Sequence, residues 1–286
     1  MKIGNLDISN CKIGSVQVSE VRIGSTLIWQ NAPALDPDAV AFLSAAGITD
    51  PTIESAVNTL VVDLKGYSIW TKMKAIYPFV GGTASTHSYN LKNSAQYQIT
   101  WSGGFINNNL GVTGNGTNGF GNTSIVPSTV LTNNSLQVSV YSRLNSQRAS
   151  SEIGCSTASY LPIIGLTIRS TVSDGLFFDG YDYSAHRILV SNTDSRGLFT
   201  GSITSSTSQN LYKNGILLGT STAAQTQSQP TVRPLYLFAR NDAGVASNYS
   251  NRNLSFASIG DGLTGAEVAN LYTAVQAFNT TLSRQV

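Results

Sequence analysis

From Pro78 to about Ser258 the chain shows no helical period, and that absence limits its fold more than any other feature. In place of the period stand short runs such as Gln96-Tyr97-Gln98-Ile99-Thr100-Trp101, Gln137-Val138-Ser139-Val140-Tyr141 and Leu235-Tyr236-Leu237-Phe238. These alternate or cluster as strands do, and Gly, Asn and Ser separate them. The clearest hairpin is Leu211-Tyr212-Lys213-Asn214-Gly215-Ile216-Leu217-Leu218. Its Asn214-Gly215 pair signals a type I′ turn, because both central residues of that turn need positive φ. Many short strands over roughly 180 residues predict a two-sheet sandwich of jelly-roll type. The expected fold class is mainly β.

Composition supports this and removes several functions. The 286 residues are 41% hydrophobic and only 11% charged, against roughly 25% charged in an average soluble protein. With 12 Tyr, 10 Phe and 3 Trp, the chain is not a disordered one. A net charge of +2 cannot supply a phosphate-tracking surface, so no nucleic-acid partner is expected. Cys11 and Cys155 form no CxxC pair; both read as free thiols, as in a protein assembled in a reducing cytoplasm. No signal peptide and no membrane span are expected, since no apolar run is long enough.

A ten-residue repeat opens the chain: Lys2-Ile3-Gly4-Asn5, Lys12-Ile13-Gly14-Ser15 and Arg22-Ile23-Gly24-Ser25, each followed by Ile8, Val18 or Ile28. Each copy reads as a strand–turn–strand unit. So short a segment, without a disulfide, cannot hold a core alone. Residues 1–34 are therefore expected to dock on something, with Ile3, Ile13, Ile23, Ile28 and Trp29 as anchoring residues. An intramolecular edge strand is the alternative.

Residues 35–286 are expected to form one domain, with helices over about 36–76, a sandwich over about 77–258 and a C-terminal helix over about 264–283. Asp36-Pro37 and Asp50-Pro51 are each an N-cap followed by Pro at the first helical position. A third short helix is expected to hold Ile69, Trp70, Met73 and Ile76. Thr264 and Glu267 form a capping box for the last helix. Trp29, Trp70 and Trp101 each lie in an apolar setting and read as core residues.

At this point the residues resemble a known group. Ile76-Tyr77-Pro78-Phe79-Val80-Gly81-Gly82-Thr83-Ala84, followed by Asn90-Leu91-Lys92, resembles a segment of tailed-phage structural proteins. The Leu211–Gly215 hairpin resembles one recurring in concanavalin A-like (laminin G-like) jelly rolls. Ile259-Gly260-Asp261-Gly262-Leu263-Thr264, then Glu267, Leu271-Tyr272 and Val275-Gln276, is similar to the ending of many of those phage proteins. The opening repeats with Leu27-Ile28-Trp29 are similar to the N-terminal arms of phage fibre or decoration proteins. The resemblance implies a concanavalin A-like sandwich with flanking helices on a virion surface protein made in the host cytoplasm. It further implies other virion proteins as partners through the arm, homotrimers, and host-surface carbohydrate as a ligand.

Concanavalin A-like folds include glycoside hydrolases, which need two carboxylates on one strand face, about 5–5.5 Å apart for retention. Glu20, Glu54, Glu152 and Glu267 have no acidic neighbour two residues away, so no enzyme activity and no catalytic residue is expected. A carbohydrate-active enzyme or free lectin is the competing class. No cofactor is expected. The one acidic cluster runs from Asp174 to Tyr183, with His186 nearby. Asp174, Asp179 and Asp182 are weak candidates for Ca²⁺ ligands; Asp179, Tyr181, Asp182 and Tyr183 are candidates for sugar binding. The plainer reading, preferred here, is Asp-Gly turns beside core residues Phe177 and Phe178. His87 reads as a loop residue. A second candidate surface, rich in amides from Gly103 to Asn122, includes Asn108 and Asn118; solvated turns without a partner explain it equally well.

Overall fold

The computed structural model describes residues 2–3, 6–7, 12–13, 15–18, 20–23, 25–30, 34–227 and 230–286. The chain divides into two compact units, Met1–Leu35 and Asp36–Val286.

In the first unit each sequence repeat is one antiparallel hairpin. Strands β1 (Lys2–Ile3) and β2 (Leu6–Asp7) pair, as do β3 (Lys12–Ile13) with β4 (Val16–Gln17) and β5 (Glu20–Ile23) with β6 (Thr26–Gln30). The side chains of Ile3, Ile13, Ile23, Ile28 and Trp29, expected to anchor the arm, lie outside the described residues, as do Ile8 and Cys11.

The second unit opens with two helices that the Asp-Pro pairs start. Asp36 caps α1 (Pro37–Ala46), which stops at Gly47 with φ 65°; Asp50 caps α2 (Pro51–Gly66). The strands follow in chain order: β7 (Met73–Tyr77), β8 (Thr100–Ser102), β9 (Phe105–Asn108), β10 (Gly111–Gly114), β11 (Phe120–Asn122), β12 (Leu136–Ser142), β13 (Ile153–Ser156) and β14 (Ile163–Thr167). After them come β15 (Gly175–Tyr181), β16 (Ile188–Ser191), β17 (Gly197–Ser205), β18 (Ser208–Lys213), β19 (Ile216–Ser221), β20 (Tyr236–Leu237), β21 (Arg240–Asp242), β22 (Val245–Ser247) and β23 (Asn253–Gly260). Short helices α3 (Ala84–His87) and α4 (Pro127–Val130) interrupt them, and α5 (Gly265–Thr281) closes the unit on the expected Thr264/Glu267 capping box.

These strands make two antiparallel sheets. The first runs β19-β18-β17-β12-β23-β10-β9, with β7 added on β23; the second runs β16-β15-β14-β13-β20-β11-β8. In the second sheet β21 pairs parallel with β13 and antiparallel with β22. Val138, Val140, Phe199, Ile203, Leu211 and Ile259 of the first sheet meet Ile153, Cys155, Ile164, Leu166, Leu176 and Phe178 of the second in one core. Burying each such large side chain contributes roughly 1.5–3 kcal/mol before entropy is counted. The mainly β sandwich expected from the sequence is thus the fold found. Among the described residues no helix is long and apolar enough to cross a membrane.

The helices cover the first sheet. Helix α2 buries Val57, Leu60, Val61 and Leu64, and α5 buries Val268, Leu271, Val275 and Phe278; the two pack together. Beneath them Ser139 and Thr200 share a hydrogen bond of 2.7 Å, and Tyr141 donates to Gln276 of α5.

One expected element is replaced. The stretch Ile69–Ile76 is not a third helix: Trp70–Lys72 forms a single 3-10 turn, and Met73–Tyr77 is strand β7. Ile76 pairs with Ser258 and Tyr77 with Ala257. Pairing along β23 outweighs a spacing that looks helical in isolation. Trp70 is buried, with the Lys92 ammonium 4.4 Å from its ring centre, and Trp101 packs on the core from a partly exposed position.

Candidate functional site

The acidic cluster is separated by the fold rather than gathered. Asp174 accepts from Arg169 Nε and Gln147 Nε2, each at 2.8 Å. Asp182 is a turn cap, accepting from the Ser184 amide at 2.7 Å and from the Thr226 hydroxyl. Burial would raise its pKa, but these bonds hold it below the usual carboxylate value. Strand alternation would place Tyr181 outward beside Asp179. Its left-handed backbone, φ 70°, breaks the alternation, and the ring lies in the core with its hydroxyl donating to the Thr132 carbonyl. Tyr183 stays exposed. Among the described residues no three Asp, Glu, His or Cys side chains converge as metal ligands would.

The amide-rich loop is bonded to itself. Asn118 Oδ1 accepts from the Gly104 amide at 3.1 Å and from Asn115 Nδ2 at 2.6 Å, and Asn108 Oδ1 accepts from the Leu110 amide at 2.9 Å. His87 lies at the end of α3, buried, with Nδ1 2.9 Å from Asn107 Oδ1.

Asp179 is the member of the cluster that faces a pocket. Leu176 and Phe178 of β15 point into the core, so Phe177 and Asp179 point out. Asp179 is 1% exposed, and Arg187 grips it with two bonds, Nε to Oδ1 at 2.6 Å and Nη2 to Oδ2 at 2.7 Å. Burial pushes the Asp179 carboxyl above its usual value, and Arg187 pulls it part of the way back. The guanidinium lies 4.6 Å from the Phe177 ring centre.

The register builds a trough beside this pair. Asp179 on β15 stands opposite Gly165 on β14, Gly165 opposite Gly154 on β13, and Gly154 opposite Arg240 on β21. One row across four strands therefore reads acid, glycine, glycine, arginine. Its ends are three strand spacings apart, roughly 14 Å between Cα atoms. Gly165 leaves the floor bare, since a Cβ there would lie 3.5 Å from Asp179 Oδ2 in ordinary contact, whereas at Gly154 the chains approach closely, a Cβ there lying 2.7 Å from the Ile164 carbonyl oxygen and 2.9 Å from Ser151 Oγ.

The hollow measures about 80 Å³, and Ser150, Ser151, Thr167, Phe177 and Asn248 help to line it. It has room for a few water-sized groups, such as the hydroxyls of one ring edge, rather than a whole ring. At the far end Asp242 holds Arg240 through Nε and Nη2, and the Tyr160 ring lies 5.5 Å away. Burial would raise Asp242, but bonds from Arg240, Ser247 and Ser156 bring it below the usual carboxylate range. Both arginines are thus fixed by an acid along one edge.

A buried pair anchors the wall. Glu152 and Arg252, both fully buried, bond through Arg252 Nη1, and Ser150 Oγ donates to Glu152 Oε1 at 3.0 Å. Arg252 Nη2 also donates to the Ser146 and Arg169 carbonyls, each at 2.7 Å. Reading the sequence singled out Asp179 but not Arg187, Arg240 or the two glycines. The available signal was a lone glycine inside each of two apolar strands, Ile153-Gly154-Cys155 and Ile164-Gly165-Leu166, which marks a close approach or a bare floor.

No protein-family model matches the chain, and no curated protein does. Solved structures do. A structure of botulinum neurotoxin type C, reported for cell entry that depends on two ganglioside molecules, is 14% identical with a TM-score of 0.52, covering 73% of this chain and 52% of that one. The binding domain of botulinum neurotoxin DC, in complex with rat synaptotagmin II, is 13% identical with a TM-score of 0.50 and the same coverage. Domain 4 of an arabinanase from Geobacillus stearothermophilus, in complex with arabinotriose, is 13% identical with a TM-score of 0.41, covering 70% of this chain and 98% of that one. The chain spans about half the length of the two toxin chains. At such identities the likeness establishes the fold, and the chain is a two-sheet β-sandwich protein.

Proposed function

We propose that this chain is a non-enzymatic surface protein of a tailed-phage virion, a fibre or adhesin that binds host-surface glycan. Made in the host cytoplasm, it is displayed on the particle, which the repeat arm joins, and the arm also brings copies together as trimers. The observation that carries the glycan reading is the row Asp179–Gly165–Gly154–Arg240. A carboxylate that accepts from paired hydroxyls, guanidinium groups that donate to them, and hydroxyl-bearing walls are the groups that read sugar edges. The type C toxin, which shares the fold, depends on two ganglioside molecules for cell entry; gangliosides carry sugars.

Hydrolysis would need one carboxyl free to donate a proton and a second acting on the same bond. In the trough Asp179 is held by Arg187 and Asp242 by Arg240, which suits binding. The test uses the whole chain on an array of bacterial surface polysaccharides, with a reducing-end assay in parallel. Binding without release of reducing ends is expected. An array with no bound glycan, or release of reducing ends, overturns the reading. Deleting residues 1–34 should abolish incorporation into particles and change the solution mass. Normal incorporation by the shortened chain would remove the arm from the proposal.

A further inference from the structure

Tyr160 stands at the Arg240 end of the trough, on the turn between β13 and β14, and 49% of its surface is exposed. The turn around it is fixed. The Tyr160 amide donates to the Thr157 carbonyl at 3.0 Å, and the Thr157 and Ser159 hydroxyls donate to the Leu161 carbonyl at 2.5 and 3.2 Å. The ring lies 5.5 Å from the Arg240 guanidinium. Its position is therefore set before anything binds.

The backbone there is unusual for a tyrosine. Tyr160 has φ 61°, a left-handed conformation that suits glycine and that bulky side chains rarely adopt. Glycine would make the same turn without strain. Nor does the turn need the ring as a clamp on Arg240, because Asp242 already holds that guanidinium through Nε and Nη2.

The hollow alone gives little affinity. At about 80 Å³ it admits the hydroxyls of one ring edge, and hydroxyl bonds exchanged with water each add little net binding. A pyranose ring also has an apolar face of C–H groups. A half-exposed aromatic ring, already fixed in place, offers that face apolar area at low entropic cost. Arg240 both lines the hollow and flanks the Tyr160 ring, so the two positions suit adjoining sugars of one chain.

We propose that the trough binds an oligosaccharide of at least two rings, the first edge-on in the hollow beside Asp179 and the next lying flat on Tyr160, which presupposes that the trough is a glycan site. Asp179 and Arg240 then read hydroxyls, while Tyr160 sets the preference for a chain over a single sugar.

The test uses the full chain with fragments of one, two and three sugars, cut by partial acid hydrolysis from the polysaccharide that the array retains and separated by size. Calorimetric titration gives the affinities. Two-sugar fragments should bind at least about tenfold more tightly than single sugars. Tyr160→Phe should keep that ratio, because the aromatic face remains. Tyr160→Gly should bring it close to one while single-sugar affinity stays at the parent value. Melting should hold in Tyr160→Gly, since glycine relieves the left-handed strain. Gly165→Val should weaken fragments of every length. Equal affinity for one and two sugars in the parent, or an undiminished ratio in Tyr160→Gly, would overturn the second subsite and leave the hollow as a single-sugar site. Loss of the ratio in Tyr160→Phe, or a lowered melting temperature in Tyr160→Gly, would overturn it as well, the latter by making the ring a structural part of the turn. An array that retains no polysaccharide removes the glycan site altogether, and the subsite with it.

Discussion

Gly165 stands directly across the β14–β15 pair from Asp179, and a Cβ placed on it would lie 3.5 Å from the carboxylate oxygen Oδ2. That is ordinary van der Waals contact, so a side chain fits there without strain, but it covers the acid. Gly165→Val should therefore keep the fold, with stability within about 1 kcal/mol of the parent because Val suits a strand better than Gly does. Glycan affinity should fall tenfold or more, since the valine methyls take up the small hollow beside Asp179. Circular dichroism melts alongside array binding check both halves. A stable variant with undiminished binding would move the glycan site away from the trough.

The turn at Asn214-Gly215 has φ 50° and 76°, the paired positive values of a type I′ hairpin. A Cβ on Gly215 would also lie 3.1 Å from Ala269 Cα and 3.4 Å from Tyr272 Cβ, so the hairpin tip rests on α5. Gly215→Val should cost about 1 kcal/mol or more, from backbone strain at positive φ and from crowding against the helix. Urea unfolding gives the difference, and an unchanged midpoint would contradict the turn geometry.

Acid should weaken the fold through His87. Burial lowers its pKa to about 4, while the Asn107 bond acts in the opposite direction. The folded imidazole therefore resists a proton that the unfolded one accepts near pH 6.5. Stability from this site is full above pH 6.5 and is lost as pH falls toward 4, by about 3 kcal/mol. His87→Gln should flatten that part of the stability–pH curve. Chemical denaturation at pH 7, 5.5 and 4 measures the slope, and equal slopes in parent and variant would remove His87 as the cause.

What could be read from the chain differs by the distance over which each signal acts. Asp36-Pro37, Asp50-Pro51, Thr264 with Glu267, and Asn214-Gly215 work within four residues, and each starts the element expected of it. The Ile69–Ile76 stretch misleads because its fate is decided by β23, far along the chain. The site depends on still longer links. Arg187 reaches Asp179 only across the β15–β16 hairpin, and Arg240 joins the row only through a parallel pairing of β21 with β13. Tyr181 escapes a period-two reading because one left-handed residue turns its ring inward. The arm's repeat is plain in sequence, and each copy forms a hairpin.

The Glu152–Arg252 pair ties stability to the trough and can separate the two. Both side chains are fully buried, with Ser150 and Ser250 hydroxyls donating to the two oxygens of Glu152. Removing one charge leaves the other buried without a counter-ion, which costs roughly 3–5 kcal/mol, whereas removing both costs far less because no lone charge remains. Glu152→Met and Arg252→Met should each lower the denaturation midpoint strongly. The double variant Glu152→Met with Arg252→Met should lie well above the sum of the single losses, a coupling of more than about 1 kcal/mol. The double variant also frees Ser150 from Glu152 and releases the Ser146 and Arg169 carbonyls from Arg252. The wall of the trough then loses its fixed position, so glycan binding should weaken in the double variant even where its fold is recovered. Additive losses in the cycle would show that the pair does not act as a unit. Full glycan affinity in a recovered double variant would show that the wall holds its place without it.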